Sequence, residues 1–194
     1  MHVFIVYAHP SDDSFTRHAR DAFIRGLQAA GHTFAVSDLY AMHFNADMTE
    51  AEYLREAHYR EDLPLPADVL AEQEKINAAD GIAFIYPVFW MEAPAKLVGW
   101  FDRVWTYGFA YGNRTMKTPD KGLMLCVTGH TLPHLSQYGH LDAMKTVMLG
   151  DRLFDRVKEK EMIVLDGMAR GDGGGREARW DAHVQTAFEA GKAF

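Results

Sequence analysis

A single cysteine, Cys126, among 194 residues excludes a disulfide framework and fits a reducing compartment. It sits inside an apolar run, where a buried structural thiol is expected rather than a nucleophile. Positive charge is also short: 20 Lys and Arg face 27 Asp and Glu, a net charge of −7. Nucleic-acid binders carry a basic face, so no nucleic-acid partner is expected. No apolar run approaches the length needed to cross a bilayer, so no integral membrane segment is expected. The amino terminus opens on a strand pattern without a charged-then-apolar leader, which predicts a cytoplasmic protein. Also missing are the Gly-x-Gly-x-x-Gly fingerprint, the Gly-Lys-Ser/Thr of a P-loop and the Gly-x-Ser-x-Gly elbow. Covalent hydrolase chemistry therefore has no support, and a cofactor is expected to supply the reactivity.

What is present centres on residues 82–104. Ile82 to Tyr86 is an apolar run of the kind buried on both faces of a parallel sheet. It breaks at Pro87, and from Pro94 helical spacing sets Leu97, Phe101, Val104 and Trp105 on one stripe. Between them Val88, Phe89, Trp90 and Met91 form a greasy loop that should face water. Such a loop calls for a flat apolar partner, either a ligand or a second subunit.

Around that segment, strands and helices alternate. Val3 to Ala8 predicts a buried strand. Ser14 caps a helix with Phe15, Ala19, Ala22, Phe23, Leu27 and Ala30 on its apolar face, ending at Gly31. Thr33 to Leu39 is a second strand. Residues 42–65 form a mixed, charged excursion with a short helix around Glu50 to Arg60, and Pro66 to Ala79 is the next helix. Beyond the Pro94 helix come a strand at Gly122 to Thr128, a helix at Leu141 to Val157, a strand at Met162 to Leu165 and a closing helix at Arg176 to Ala190. The Gly171 to Gly175 run reads as a mobile linker. With 48% hydrophobic residues the chain has material for one sizeable core, so residues 1–194 are expected to form one domain. Right-handed crossovers then give an α/β, flavodoxin-like, doubly wound five-stranded parallel sheet in the order 2-1-3-4-5, with helices on both faces. Its switch point lies between the first and third strands, which brings the loops at Ala8 to Phe15 and Pro87 to Met91 together.

The first of these loops ends at a helix amino terminus, where free amides and the hydroxyls of Ser14 and Thr16 suit a phosphate. Asp12 and Asp13 oppose an anion unless they turn outward, and an ordinary capped helix explains the loop as well. The loop from Thr128 and Gly129 to His140 concentrates proton-handling groups: His130, His134, Tyr138 and His140. Three histidines raise a metal, but Pro133 and Gly139 spoil helical register and no second ligand cluster appears, so none is expected. Tyr107 to Gly112 is an aromatic loop suited to walling a ring-shaped substrate or to packing on the core.

The ordered set of motifs resembles the NAD(P)H:quinone oxidoreductases of the flavodoxin-like superfamily, a group that includes DT-diaphorase. The resemblance rests on Tyr7-Ala8-His9-Pro10 with Ser14-Phe15, Ser37-Asp38-Leu39-Tyr40 with Phe44-Asn45, and Glu72-Gln73-Glu74-Lys75. Its strongest part is Pro87-x-x-Trp90, Pro94-Ala95, Lys96-Leu97, Gly99 to Val104 and Phe109-Ala110-Tyr111. It implies a flavin, FMN or FAD, reduced by NAD(P)H in a homodimer and reoxidised by a quinone-like acceptor in ping-pong fashion. Azo or nitro compounds are alternative acceptors. It also implies residue roles. His9, Ser14, Phe15 and Thr16 would hold the flavin phosphate, and Pro87, Val88, Phe89 and Trp90 would line its ring, with Thr128 and Gly129 beside them. Phe109, Tyr111 and His130 would meet the substrate, with Tyr111 coming from the other subunit. The family's Thr-Thr-Gly-Gly turn is here Val127-Thr128-Gly129-His130. The family's His falls on His140, and its Tyr falls on His134, with Tyr138 as a substitute. Two other classes share these features: a flavodoxin-type electron carrier and a regulatory ancillary subunit of a membrane transport protein.

Overall fold

In a computed structural model, residues 1–170 and 175–194 are described. The elements run β1 (His2–Tyr7), α1 (Phe15–Ala29), β2 (Thr33–Asp38), α2 (Glu50–Ala57), α3 (Ala67–Ala78), β3 (Gly81–Pro87) and α4 (Ala95–Val104). They continue with β4 (Lys121–Val127), α5 (Leu132–Gln137), α6 (His140–Lys145), a π-helical segment (Thr146–Leu153), β5 (Glu159–Leu165) and α7 (Gly175–Lys192). All neighbouring strands pair parallel, in the order β2-β1-β3-β4-β5. The flavodoxin-like arrangement expected from the alternation of elements is the one observed.

Alternation along the strands sorts the core into two layers. Val3, Ile5 and Tyr7 of β1, with Ala83 and Ile85 of β3, pack under α1 and α7. Phe4, Val6 and Ala8, with Phe84 and Tyr86, pack under α3, α4 and the π-helical segment. Every residue of β3 is buried, as a central parallel strand requires. Cys126 is fully buried, and burial pushes its thiol up to about 12, so it stays protonated.

The sequence-based boundaries change most after β4. A single helix from Leu141 to Val157 was expected, whereas three short helical pieces span residues 132–153. Pro133 sits in the first turn of α5, where its missing N–H costs nothing, so the helix begins inside the expected loop. Gly139 then takes a left-handed conformation, with φ 71°, and restarts the chain as α6. β5 begins at Glu159 rather than Met162, because Glu159, Lys160 and Glu161 are exposed and can extend the strand without entering the core. The linker expected at Gly171 to Gly175 lies outside the described residues, apart from Gly175, the first residue of α7.

α1 and α7 cross in contact so close that only glycine fits. A Cβ on Gly191 would strike the Phe23 carbonyl, and one on Gly26 would strike the Phe188 carbonyl. Gly191→Ala is therefore expected to destabilise the fold by about 1–3 kcal/mol through overpacking. That outweighs the gain of roughly 1 kcal/mol from alanine's better helix propensity. Urea denaturation checks the sign, and an unchanged or raised midpoint contradicts the clamp.

Candidate functional site

The carboxyl ends of β1, β3 and β4 open into a cleft of about 350 Å³. A slightly larger cavity, about 370 Å³, lies at the other end of the sheet, beside the amino ends of β4 and β5. That one is lined by sheet-edge and terminal residues, with none of the loops after β1 and β3. The cleft is where the polar backbone is free, at the switch point of the strand order.

One wall of the cleft is the amino end of α1. Ser14 caps the helix with its Oγ accepting from the Arg17 N–H at 3.1 Å. The amides of Phe15 and Thr16 have no carbonyl one turn back and remain available to an anion. His9, Ser11 and Asp13 complete this wall. The His9 Nδ1 lies 3.0 Å from the Ser11 N–H and 2.9 Å from its carbonyl, so Ser11 satisfies either tautomer. Burial lowers the pKa of His9 from its ordinary value, with the Ser11 hydrogen bond opposing, so the ring is neutral at pH 7.

The opposite wall is Pro87, Val88 and Phe89. Beyond them Phe89 and Glu92 exchange two backbone hydrogen bonds, of 2.8 and 3.0 Å, around the pair Trp90–Met91. Both residues of that two-residue turn have positive φ, 53° and 63°. Such turns usually carry Asn-Gly, because a bulky side chain is strained there. Trp90 is 99% exposed and does not line the cleft within one chain, while Met91 leans on the core.

The floor is Val127, Thr128, Gly129 and Met168, with Arg170 and Arg176 at the rim. Thr128 is buried and its Oγ1 accepts from the His130 N–H at 3.3 Å. Among the described residues that line the cleft two are arginines and one, Asp13, is acidic. Ser11, Met168, Arg170 and Arg176 were not singled out in the sequence, where Asp13 counted only as a group opposing an anion. Both arginines come after the last strand, and only the fold shows that they reach the cleft.

The remaining candidates stand apart from the cleft lining. His130 stacks on His134 with centroids 4.3 Å apart, His134 meets Tyr138 at 4.9 Å, and Tyr138 stacks on His140 at 5.9 Å. These four rings form a ladder from the end of β4 to the start of α6. Among the described residues, no group of three His, Cys, Asp or Glu is placed to hold a metal ion. Phe109 is buried in the core layer under α4. Tyr111 donates its hydroxyl to Glu56 Oε2 at 2.8 Å, and burial, the Glu56 bond and the Glu56 charge all raise its pKa. Glu56 also accepts from the Tyr107 N–H at 2.7 Å, so α2 holds the aromatic loop in place. Within one chain neither Phe109 nor Tyr111 reaches the cleft.

Comparison with known proteins agrees with this geometry. Residues 1–170 match the family described as having a flavodoxin-like fold. The NAD(P)H:quinone oxidoreductase from Methanothermobacter marburgensis is 46% identical, over 99% of this chain and 96% of that one, with a TM-score of 0.93. NAD(P)H dehydrogenase [quinone] 1 of Rattus norvegicus is 37% identical over 131 residues, 61% of this chain and 47% of the relative. Ribosyldihydronicotinamide dehydrogenase [quinone] of Homo sapiens is 36% identical over 123 residues, 56% of this chain and 53% of the relative. The matches thus span about half the length of these two mammalian relatives. The fold order, the switch-point cleft and these likenesses agree, and the chain belongs to the NAD(P)H:quinone oxidoreductase family of the flavodoxin-like fold.

Proposed function

We propose that the protein is a flavin-dependent NAD(P)H oxidoreductase that reduces quinones and related electrophiles, as a homodimer of single-domain chains in the cytoplasm. The observation that carries this reading is the cleft, where an anion-binding helix end faces an apolar wall across the switch point. Its residues fit a flavin. The amides of Phe15 and Thr16, with Arg170 and Arg176, suit the phosphate end, while Pro87, Val88 and Phe89 suit a flat ring above Thr128 and Gly129. Bound there, a flavin supplies a group that accepts hydride from NAD(P)H and passes it on.

The chain's own part is to orient ligands, exclude water and place donors. His9, whose pKa burial lowers, adds an imidazole to the wall at the phosphate end. The ladder of His130, His134, Tyr138 and His140 offers donors for charge growing on a bound acceptor. Trp90 and the half-exposed Phe89 present apolar area beside the cleft, which a second copy of the chain would cover. In that dimer Tyr111, its hydroxyl already committed to Glu56, would close the partner's site with its ring. Donor and acceptor would then use one binding face in turn.

Flavin titration followed by steady-state oxidation of NADH and NADPH with a benzoquinone tests the reading. Micromolar quenching of flavin fluorescence and parallel double-reciprocal plots are expected. A protein that leaves flavin unquenched is not this enzyme, and intersecting lines rule out the shared face. A flavodoxin-type carrier would bind flavin but fail to turn over NAD(P)H.

His140→Ala is expected to retain flavin and dimerise, yet slow the reductive half-reaction with NAD(P)H in stopped flow. Loss of one preorganised donor typically costs about 10²–10³ in rate, and an open site should lose less. Wild-type kinetics in a folded, flavin-loaded variant would shift the role to His134 or Tyr138.

Trp90→Gly separates stability from function. With the side chain 99% exposed, the change removes almost no packing and relieves a positive φ, so a gain of about 1 kcal/mol is expected. Flavin affinity or dimerisation should fall in the same variant. A thermal midpoint that drops would show that the turn carries no strain.

A further inference from the structure

The chain leaving β5 is laced to the chain leaving β4. The Thr128 N–H donates to the Leu165 carbonyl at 3.0 Å, the Gly167 N–H to the His130 carbonyl at 2.9 Å and the Met168 N–H to the Thr128 carbonyl at 2.9 Å. Gly167 turns with φ 65°, a conformation that glycine adopts without strain. These backbone bonds hold the floor of the cleft at Thr128 and Met168. They end at His130, two residues before α5.

From there a side chain takes over. Asp166 Oδ2 accepts from the Leu132 N–H, the first of α5, at 2.8 Å. Thr131 stands at the cap position yet makes no side-chain capping bond among the described residues, and Pro133 has no N–H to offer. A helix of six residues is too short to stand on its own hydrogen bonds. Asp166 therefore does from the end of β5 what a capping residue does from within the chain.

Asp166 is itself held from a third element. The Nε2 of His183, on α7, lies 2.8 Å from the Asp166 carbonyl, and since a carbonyl only accepts, that nitrogen carries the proton. The same nitrogen is 3.6 Å from Asp166 Oδ1, and both side chains are largely buried. His183 also meets the Phe15 ring of α1 edge-on, at 6.3 Å. The two helices are locked together at Gly26 and Gly191. A continuous path thus runs from the rigid helix pair through His183 and Asp166 to Leu132, which lies between the stacked His130 and His134 in the chain.

We infer that Asp166 is a positioning residue: it caps α5 and so holds the rings of His130, His134 and Tyr138 in place beside the cleft, with His183 as its support. The inference rests on the reading of these rings as donors to a bound acceptor. It adds the group that fixes where they stand.

NMR of flavin-free protein tests the placement. In Asp166→Ala the Leu132 amide is expected to exchange with solvent about tenfold faster, the loss of one cap, and the ring signals of His130, His134 and Tyr138 to shift. Asp166→Asn, whose amide oxygen still accepts, should keep both near wild type. In flavin-loaded protein, Asp166→Ala should slow reoxidation by a benzoquinone in stopped flow about tenfold or more, as displaced groups do, with flavin affinity kept within about twofold. Asp166→Asn should restore that rate. Unchanged ring signals in Asp166→Ala overturn the proposal, and so does an Asp166→Asn variant that behaves like the alanine. A lowered thermal midpoint with wild-type reoxidation also overturns it, since the role is then structural alone. Wild-type protein that binds no flavin fails the earlier reading instead, and the ring signals still decide this one. Should Asp166→Ala fail to fold, His183→Leu is compared with His183→Gln, whose amide can still donate. Faster Leu132 exchange in the leucine variant alone supports the path through His183, and equal exchange in the two overturns it.

Discussion

Burial of β1 and β3 on both faces is the constraint on which the rest of the molecule depends. Side chains along these strands have no route to water, so they are apolar almost without exception. Groups able to bind a ligand are confined to the strand ends, and among those ends the switch in strand order leaves one opening. The cleft between the His9 and Phe89 loops thus follows from sheet order before any particular side chain is considered.

Two charged side chains buried in this apolar body are each held by several partners. Glu72 is completely buried and accepts from Ser37, Lys75 and the Trp100 indole, which joins β2, α3 and α4. Arg103 of α4 reaches Glu52 at 2.7 Å, Asp68 at 2.6 Å and the Asn45 carbonyl at 2.8 Å. Removing one member of such a set strands the others in low dielectric, a loss of about 3–5 kcal/mol. Arg103 thereby fixes the long excursion before α3. Through α2 and Glu56 the same anchoring reaches Tyr107 and Tyr111. The aromatic loop is thus held from α2, which Arg103, on the helix just before the loop, pins through Glu52.

The order of strands was readable because each buried strand is a short apolar run and each helix has a cap or a stripe. The two loops of the cleft were readable for the same reason, since sheet order alone brings them together. The region after β4 was less legible. Pro133 and Gly139 signal breaks, yet the same residues also open new helices once the chain packs on β4 and β5. The excursion at residues 42–65 looked merely charged, because Glu52, Glu56 and Arg55 acquire meaning only with Arg103 and Tyr107 beside them.

The glycine crossing of α1 and α7 bears on how the cleft can move. With Gly26 and Gly191 seated against backbone, the two helices cannot slide past each other without a collision. The amino end of α1 and Arg176 at the start of α7 both belong to that locked pair, so one side of the cleft behaves as a fixed anvil. The facing lip is a two-residue turn held by two backbone hydrogen bonds. The wall formed by α1 and α7 is thereby a stationary reference against which a ligand in the cleft is positioned.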